Sequence, residues 1–257
     1  MIDALSIASS GLAANQAWID SISNNVANMQ TIGYKRSQVN FMDMVQQVPA
    51  ADDGGALAGN RLTGAGIQVS HQSQVFTPGA VRETTNPLDI AIVGNGFFEV
   101  ELSSGELAYT RAGRFHVGAD GQLALPNGMV LISDLRIPPD AASLQIQADG
   151  VVRAKIANSQ ETLTVGQIRL AGFSNAEQLA KTSDGLYRAT RLSGDPVYAE
   201  PGQGGQGTLL QAHVEMSNVN MIEEMTGLVL AQRAYQLNAR LLQAGDQIME
   251  TINNLRR

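Results

Sequence analysis

From Asn220 to Arg257 the chain contains no proline and repeats its apolar residues at helical spacing, and no other feature restricts the fold so strongly. Asn220 and Glu223 have the spacing of a capping box, so a helix is expected to begin there. At ~1.5 Å per residue, about 35 residues make a rod of roughly 50 Å. Two neighbouring stripes on this rod are apolar. Leu228, Ala231, Tyr235, Leu242, Met249 and Ile252 form one; Leu230, Ala234, Leu237, Leu241, Ala244, Ile248 and Leu255 form the other. So wide an apolar face packs on more than one side.

The chain begins in a similar way. Leu5, Ala8, Leu12, Ile19, Ile22 and Val26 recur at spacings of three and four, with Asn15 as the one polar lapse. This predicts a helix with a narrow seam, ending near residues 28–33, where Asn, Thr and Gly supply turn chemistry. Its five large apolar side chains are worth on the order of 10 kcal/mol when buried. Ordering about 25 residues costs at least that much at ~1 kcal/mol each. A pair of such helices is therefore marginal by itself, and surplus apolar surface at both ends of one chain predicts contacts with other copies of it.

Between the helices the pattern changes. Short apolar runs at 67–69, 89–93, 97–101, 130–132, 144–146, 151–154 and 167–170 read as strands. Asp120-Gly121, Asp149-Gly150 and Asp184-Gly185 read as hairpin turns. The expected fold is mixed, α plus mainly β, with the terminal helices pairing in an α-helical coiled-coil domain of residues 1–35 and 215–257. An extended, hairpin-like connector spans 36–75, and an all-β domain is inserted at 76–214. Residues 49–66, rich in Ala, Gly and Asp, are either a flexible loop or an excursion ordered by a neighbour.

Composition removes several functions. The net charge is -7 and no Lys/Arg block exceeds Lys35-Arg36, so nucleic acid is not an expected partner. Without cysteine there is no disulfide framework and no thiolate metal site. Residues 1–12 carry Asp3 and no basic residue, so a cleaved secretory signal is not expected, and no run reaches the roughly 18 apolar residues of a membrane span.

Motifs for catalysis fare no better. His71, His116 and His213 sit on separate segments without ligand spacing. Gly94-Asn95-Gly96 lacks the third glycine of a dinucleotide fingerprint and reads as a strand-to-strand turn. Residues 202–207 are glycine-rich but lack the Lys-Ser/Thr of a phosphate loop and read as a linker toward the last helix. No serine lies in G-x-S-x-G, and the carboxylates are scattered, mostly in Asp-Gly turns. No catalytic residue, cofactor or metal is expected.

The terminal residues carry more than periodicity. Ser23-Asn24-Asn25-Val26-Ala27-Asn28, followed by Thr31-Ile32-Gly33-Tyr34-Lys35-Arg36, resembles the N-terminal signature of the flagellar rod and hook axial proteins. Ser217-Asn218-Val219-Asn220, with Glu223-Glu224-Met225 and Gln232-Arg233-Ala234-Tyr235, is similar to the C-terminal one. Asn86-Pro87-Leu88-Asp89-Ile90 with Gly94-Asn95-Gly96-Phe97-Phe98, and Tyr109-Thr110-Arg111-Ala112-Gly113-Arg114-Phe115, resemble the family's β-domain blocks. Phe41-Met42-Asp43-Met44-Val45, running into the Ala/Gly-rich stretch up to Gly64-Ala65-Gly66, resembles the extra segment of the distal rod members.

The resemblance implies a structural subunit of the distal rod, polymerising helically into a straight, hollow drive shaft that passes torque from motor to hook. Its partners would be other copies of itself, proximal rod subunits, the hook protein, the surrounding basal-body rings and the flagellar type III export apparatus. It would lie in the periplasm without entering a membrane. A different β-domain rod subunit, or a homologue from a second flagellar system, stays open at this point. A cell-wall glycan module is a more distant reading, and it would show a cleft of clustered carboxylates and aromatics.

Overall fold

The computed structural model describes residues 2–48, 61–102, 104–133, 135–156 and 162–255. The chain forms two compact units: Met1–Ala27, Ser37–Ser73 and Asn220–Arg257 make the first, and Asn28–Arg36 with Gln74–Val219 make the second.

The first unit holds two long helices, α1 (Ile2–Ala27) and α2 (Met221–Leu255), and two long strands, β1 (Ser37–Val48) and β2 (Arg61–Gln74). Polar residues inside α1 do not interrupt it because they bond back to their own helix. Ser10 Oγ donates to Ile7 O, Asn15 Nδ2 to Gly11 O and Ser23 Oγ to Ile19 O, each at 2.8 Å. The lapse at Asn15 is satisfied in this way. α2 starts at the expected place: Asn220 Oδ1 accepts the Ile222 N–H at 3.0 Å, and Asn220 O accepts the Glu224 N–H at 3.0 Å. The reciprocal half of the capping box takes another form, since Glu223 Oε1 accepts from the Asn220 side-chain amide at 3.3 Å. Glu223 and Glu224 place negative charge at the positive end of the helix dipole.

The two helices run antiparallel, and glycines set their approach. A Cβ on Gly245 would lie 2.6 Å from Leu5, one on Gly11 2.7 Å from the Asn238 amide, and one on Gly227 3.3 Å from Ile22. β1 and β2 pair in a two-stranded sheet. Asn40 meets His71 and Ser73, while Arg36 O accepts the Val75 N–H, so these strands are antiparallel too. The strand expected at 67–69 is much longer, and 61–66 of the expected excursion belong to β2. Residues 49–60 lie outside the described residues.

The second unit is made of short strands: β3 (Val81–Glu83), β4 (Ile90–Val93), β5 (Phe98–Glu101), β6 (Leu107–Thr110), β7 (His116–Val117), β8 (Leu123–Ala124), β9 (Val130–Leu131) and β10 (Ala141–Ile146). Then follow β11 (Val151–Ile156), β12 (Thr162–Gln167), β13 (Leu170–Gly172), β14 (Ala180–Lys181), β15 (Leu186–Arg188), β16 (Val197–Ala199), β17 (Thr208–Gln211) and β18 (His213–Glu215). A seven-stranded sheet has the order β14-β15-β6-β5-β9-β8-β7, and β10-β11-β12 form a meander. The pairs β13–β16, β17–β4 and β18–β3 complete the set.

Alternation explains the core. Phe98 and Val100 of β5 point inward while Glu99 and Glu101 do not, and Val152 and Ala154 of β11 are buried while Arg153 and Lys155 are not. A smaller aromatic cluster joins Phe97, Tyr109 and Tyr187 with Phe76 and Phe173.

All three Asp-Gly pairs turn hairpins, β7–β8, β10–β11 and β14–β15. Two other expectations are corrected. The strand expected at 167–170 is two strands, because β12 stays with β11 up to Gln167 while Leu170 pairs with Ala199 in a different sheet. The change of sheet occurs over Ile168, which is fully buried and whose N–H bonds Gly150 O at 2.9 Å. Residues 202–207 are not a linker to the last helix. They turn the chain from β16 into β17, closed by Gly202 N–H to Gly207 O at 2.9 Å and anchored by Gly207 N–H to Asn95 O at 2.7 Å. Gly94-Asn95-Gly96 is a turn, but it carries the chain from β4, paired with β17, into the seven-stranded sheet.

Candidate assembly surface

The two apolar stripes of α2 have different surroundings. On the first, Ala231 is fully buried and Leu228 and Leu242 are partly covered, while Tyr235 and Met249 stay exposed. Asn238, Gly227 and Gly245 lie on the same side, and each meets α1. On the second stripe Leu230, Leu237, Leu241 and Ile248 are 54%, 61%, 61% and 49% exposed, and Ala234 at its margin is half-buried. Helical periodicity puts the two stripes roughly 100° apart, so a single helix partner covers one and leaves the other open. The side chains of Ile252 and Leu255 lie outside the described residues.

The residues expected to form the seam of α1 are covered: Ala8 and Ile22 are buried, and Leu5, Leu12, Ile19 and Val26 are half-buried. Trp18, Ser21 and Asn25 belong with them, and periodicity gave no sign of it. Trp18 stacks edge-on against Phe41 of β1 at 6.3 Å. Asn25 joins three elements. Its Nδ2 donates to Ser37 O at 2.9 Å and to Glu224 Oε2 at 3.3 Å, and its Oδ1 accepts the Ser37 N–H at 2.9 Å. The amide carries donor and acceptor on one group and so answers both backbone atoms of Ser37. β1 itself leaves Phe41, Met42, Met44 and Val45 exposed.

The remaining signature residues divide by role. Asn24, Gln232 and Arg233 are exposed on their helices. In the second unit, Asn28 O accepts the Thr31 N–H at 3.1 Å, in the turn that follows α1. Gly33 has φ +70, and a Cβ there would lie 2.5 Å from Ala112 N, so only glycine fits. Asn218 Oδ1 accepts the Arg36 N–H at 2.7 Å, and its Nδ2 donates to Val75 O at 2.8 Å. Asn220 caps α2.

A buried ionic cluster lies beside Asn218. Glu215 Oε1 accepts from Lys35 Nζ at 2.6 Å, and Oε2 accepts from Arg111 Nη1 at 3.3 Å. Burial holds Lys35 and Arg111 below their ordinary pKa values, and Glu215 opposes that pull in both. Arg111 also stands over the Phe97 ring at 5.2 Å.

A groove of about 680 Å³ in the second unit is lined by Glu99, Glu101, Arg169, Gln167 and Tyr198 among others. The carboxylate of Glu99 is engaged by the hydroxyls of Tyr198 and Tyr109. His71, His116 and His213 stand on β2, β7 and β18, and among the described residues no three His, Asp or Glu side chains are placed to hold a metal. Nor is any described helix long and apolar enough to cross a membrane.

Similarity to known proteins falls on these same segments. The model of flagella basal body rod proteins matches residues 5–35, and the C-terminal model of flagellar basal body rod FlgEFG proteins matches 210–255. The model of the flagellar hook protein FlgE/F/G D1 domain matches 91–154. The flagellar basal-body rod protein FlgG of Caulobacter vibrioides is 37% identical over 99% of this chain and all of its own length. FlgG of Bacillus subtilis is 36% identical over 96% of this chain and 97% of its own. The flagellar hook-basal body complex protein FlhP of the same organism is 28% identical over the whole of both. Full-length identity at this level, with α1, α2 and the strands between them each matched in order, places the chain in the FlgE/F/G family of flagellar rod and hook proteins.

Proposed function

We propose that this chain is a structural subunit of the flagellar distal rod and that it polymerises through its terminal helices. The observation that carries the reading is the open stripe of α2, Leu230, Leu237, Leu241 and Ile248, beside a stripe already covered by α1. Apolar surface in one straight line along a 35-residue helix is suited to another helix. Greater identity to FlgG than to FlhP supports the distal rod over other rod positions.

In this reading the terminal helices pair as a coiled coil and stack on copies related by rotation plus rise, an open heterologous contact that never closes. Residues 1–35 and 215–257 form the assembly element, 36–75 the connector and 76–214 the outer wall, with no catalytic role. The exposed Phe41, Met42, Met44 and Val45 of β1 face neighbouring subunits and stiffen the tube. α2 becomes the more enclosed helix once neighbours cover its second stripe. The subunit is carried by the flagellar export apparatus to the periplasmic part of the basal body, where it meets proximal rod subunits, hook protein and the surrounding rings.

Leu237→Asp tests this. It puts a charge where a neighbour's apolar surface would lie, so rods should be missing from basal bodies seen by electron microscopy while the purified chain keeps its fold. Normal rods in that strain would refute the assembly role of the stripe.

A further inference from the structure

Glu215 and Asn218 stand near the C-terminal end of the second unit, and they tie down chain that precedes them by more than a hundred residues. The Glu215 carboxylate takes Lys35 Nζ at 2.6 Å, the Gly79 N–H at 2.9 Å and Arg111 Nη1 at 3.3 Å. Its backbone carbonyl takes the Gly33 N–H at 2.8 Å. Asn218 takes the Arg36 N–H at 2.7 Å and donates to Val75 O at 2.8 Å and Thr77 O at 3.1 Å. Among the described residues β3 pairs with β18 alone, and Met216 N–H bonds Ala80 O at 2.8 Å.

Lys35, Arg111 and Glu215 are 0%, 3% and 1% exposed, so water cannot take the place of the carboxylate. Two cations share one anion. Before Glu215 is present, seating Lys35 beside Arg111 would bury two uncompensated charges, and leaving Lys35 in water keeps residues 33–36 undocked. Apart from Arg111, the groups that need Glu215 are therefore those at the start of the unit. The β5–β6 pairing in the middle of the seven-stranded sheet has all of its partners earlier in the chain.

We infer that residues 215–218 are a closing latch: residues 33–36 and 75–83 dock onto the second unit only when the Glu215 carboxylate arrives to pair with the buried cations. A chain delivered N-terminus first keeps these segments open until little more than α2 remains to come. That use rests on the export reading above, whereas the latch is a property of the isolated chain.

The test is hydrogen exchange on the purified full-length protein. In the wild type the amides of Gly33, Arg36, Val75, Gly79 and Met216 should be protected as one group and gain protection in one refolding phase. Glu215→Gln keeps the shape and removes the charge. It should lower protection of all five by about 100-fold or more, while the β5–β6 amides stay protected. A triple variant, K35M/R111M/E215M, has no charge to compensate and should return Gly33, Arg36 and Val75 to within about tenfold of wild type. The latch is overturned if Glu215→Gln leaves the five amides within tenfold of wild type, or if the triple variant folds at β5–β6 but leaves Gly33 and Arg36 unprotected. Neither result depends on any flagellar component, so the rod reading stands or falls separately.

Discussion

Replacing Leu237 and Leu241 together by alanine should weaken polymerisation about 100-fold while leaving the single chain nearly as stable as before. Leu→Ala removes three carbons, worth roughly 2.4 kcal/mol when fully buried at ~0.8 kcal/mol each. Both side chains are 61% exposed in the chain alone, so about 1.5 kcal/mol of each is still available to a neighbour. The pair then accounts for about 3 kcal/mol per added subunit, or about two factors of ten in the critical concentration. Little is lost from the monomer, because the removed surface is largely in water and alanine favours the helix. The assay is the critical concentration of purified protein by sedimentation, with the product checked by electron microscopy. The sole tryptophan, Trp18, packs on Phe41 and reports melting of the first unit. Leu228→Ala, on the covered stripe, is the control and should lower that melting point. A shift of the critical concentration below about threefold in the double variant would refute the reasoning, because the stripe would then contribute nothing to growth.

Three further outcomes follow from the buried polar groups and the turns. Gly33→Ala should destabilise the second unit by about 3 kcal/mol or more in urea titration, and Gly128→Ala, at φ +83 with nothing within 4 Å of the added Cβ, by only about 1 kcal/mol. Equal losses would show that contact with Ala112 is harmless. Asn25→Ala leaves the N–H and C=O of Ser37 without their amide partner and should cost the first unit about 2–3 kcal/mol, read from Trp18 fluorescence. Burial raises the Tyr187 hydroxyl far above its ordinary value of 10.0, so the folded chain keeps the proton that the unfolded chain releases near pH 10. Stability from this group is full below pH 10 and should fall above it by about 1.4 kcal/mol per pH unit; Tyr187→Phe should flatten that slope in denaturant titrations between pH 10 and 11.

What could be read from the chain beforehand was local. Asn220 marks the start of α2 because capping needs only neighbours in sequence, and the Asp-Gly pairs mark hairpins because the turn alone demands their backbone geometry. The break between β12 and β13 is hidden because the alternation of Gln167, Ile168, Arg169 and Leu170 runs on through it, and which sheet each strand joins is decided by its partners, Val151 opposite Gln167 and Ala199 opposite Leu170. Residues 202–207 carry the composition of a flexible linker, but Asn95 and Val93 fix them through backbone contacts that no composition reveals. Trp18 and Ser21 fall outside the apolar periodicity for a related reason: α1 packs on the β1–β2 sheet as well as on α2, and Ser21 reaches it through Ser37 O at 3.2 Å.

The same distinction separates the two kinds of signature residue. Gln232 and Arg233 lie exposed on α2 and contribute little to holding the single chain together, so any constraint on them comes from outside it. Gly33, Asn25 and Asn218 are constrained from within, by the backbone atoms they approach or bond. Substitutions should therefore divide accordingly. Asn218→Leu would remove the side-chain partner of the Arg36 N–H and of the Val75 carbonyl, and should loosen the second unit in exchange measurements on the purified chain. Gln232→Ala and Arg233→Ala should leave that chain unchanged and show their effect only on polymerisation. A folding defect from either exposed residue would mean that α2 has a partner within its own chain beyond α1, and the open stripe would lose its place as the growth surface.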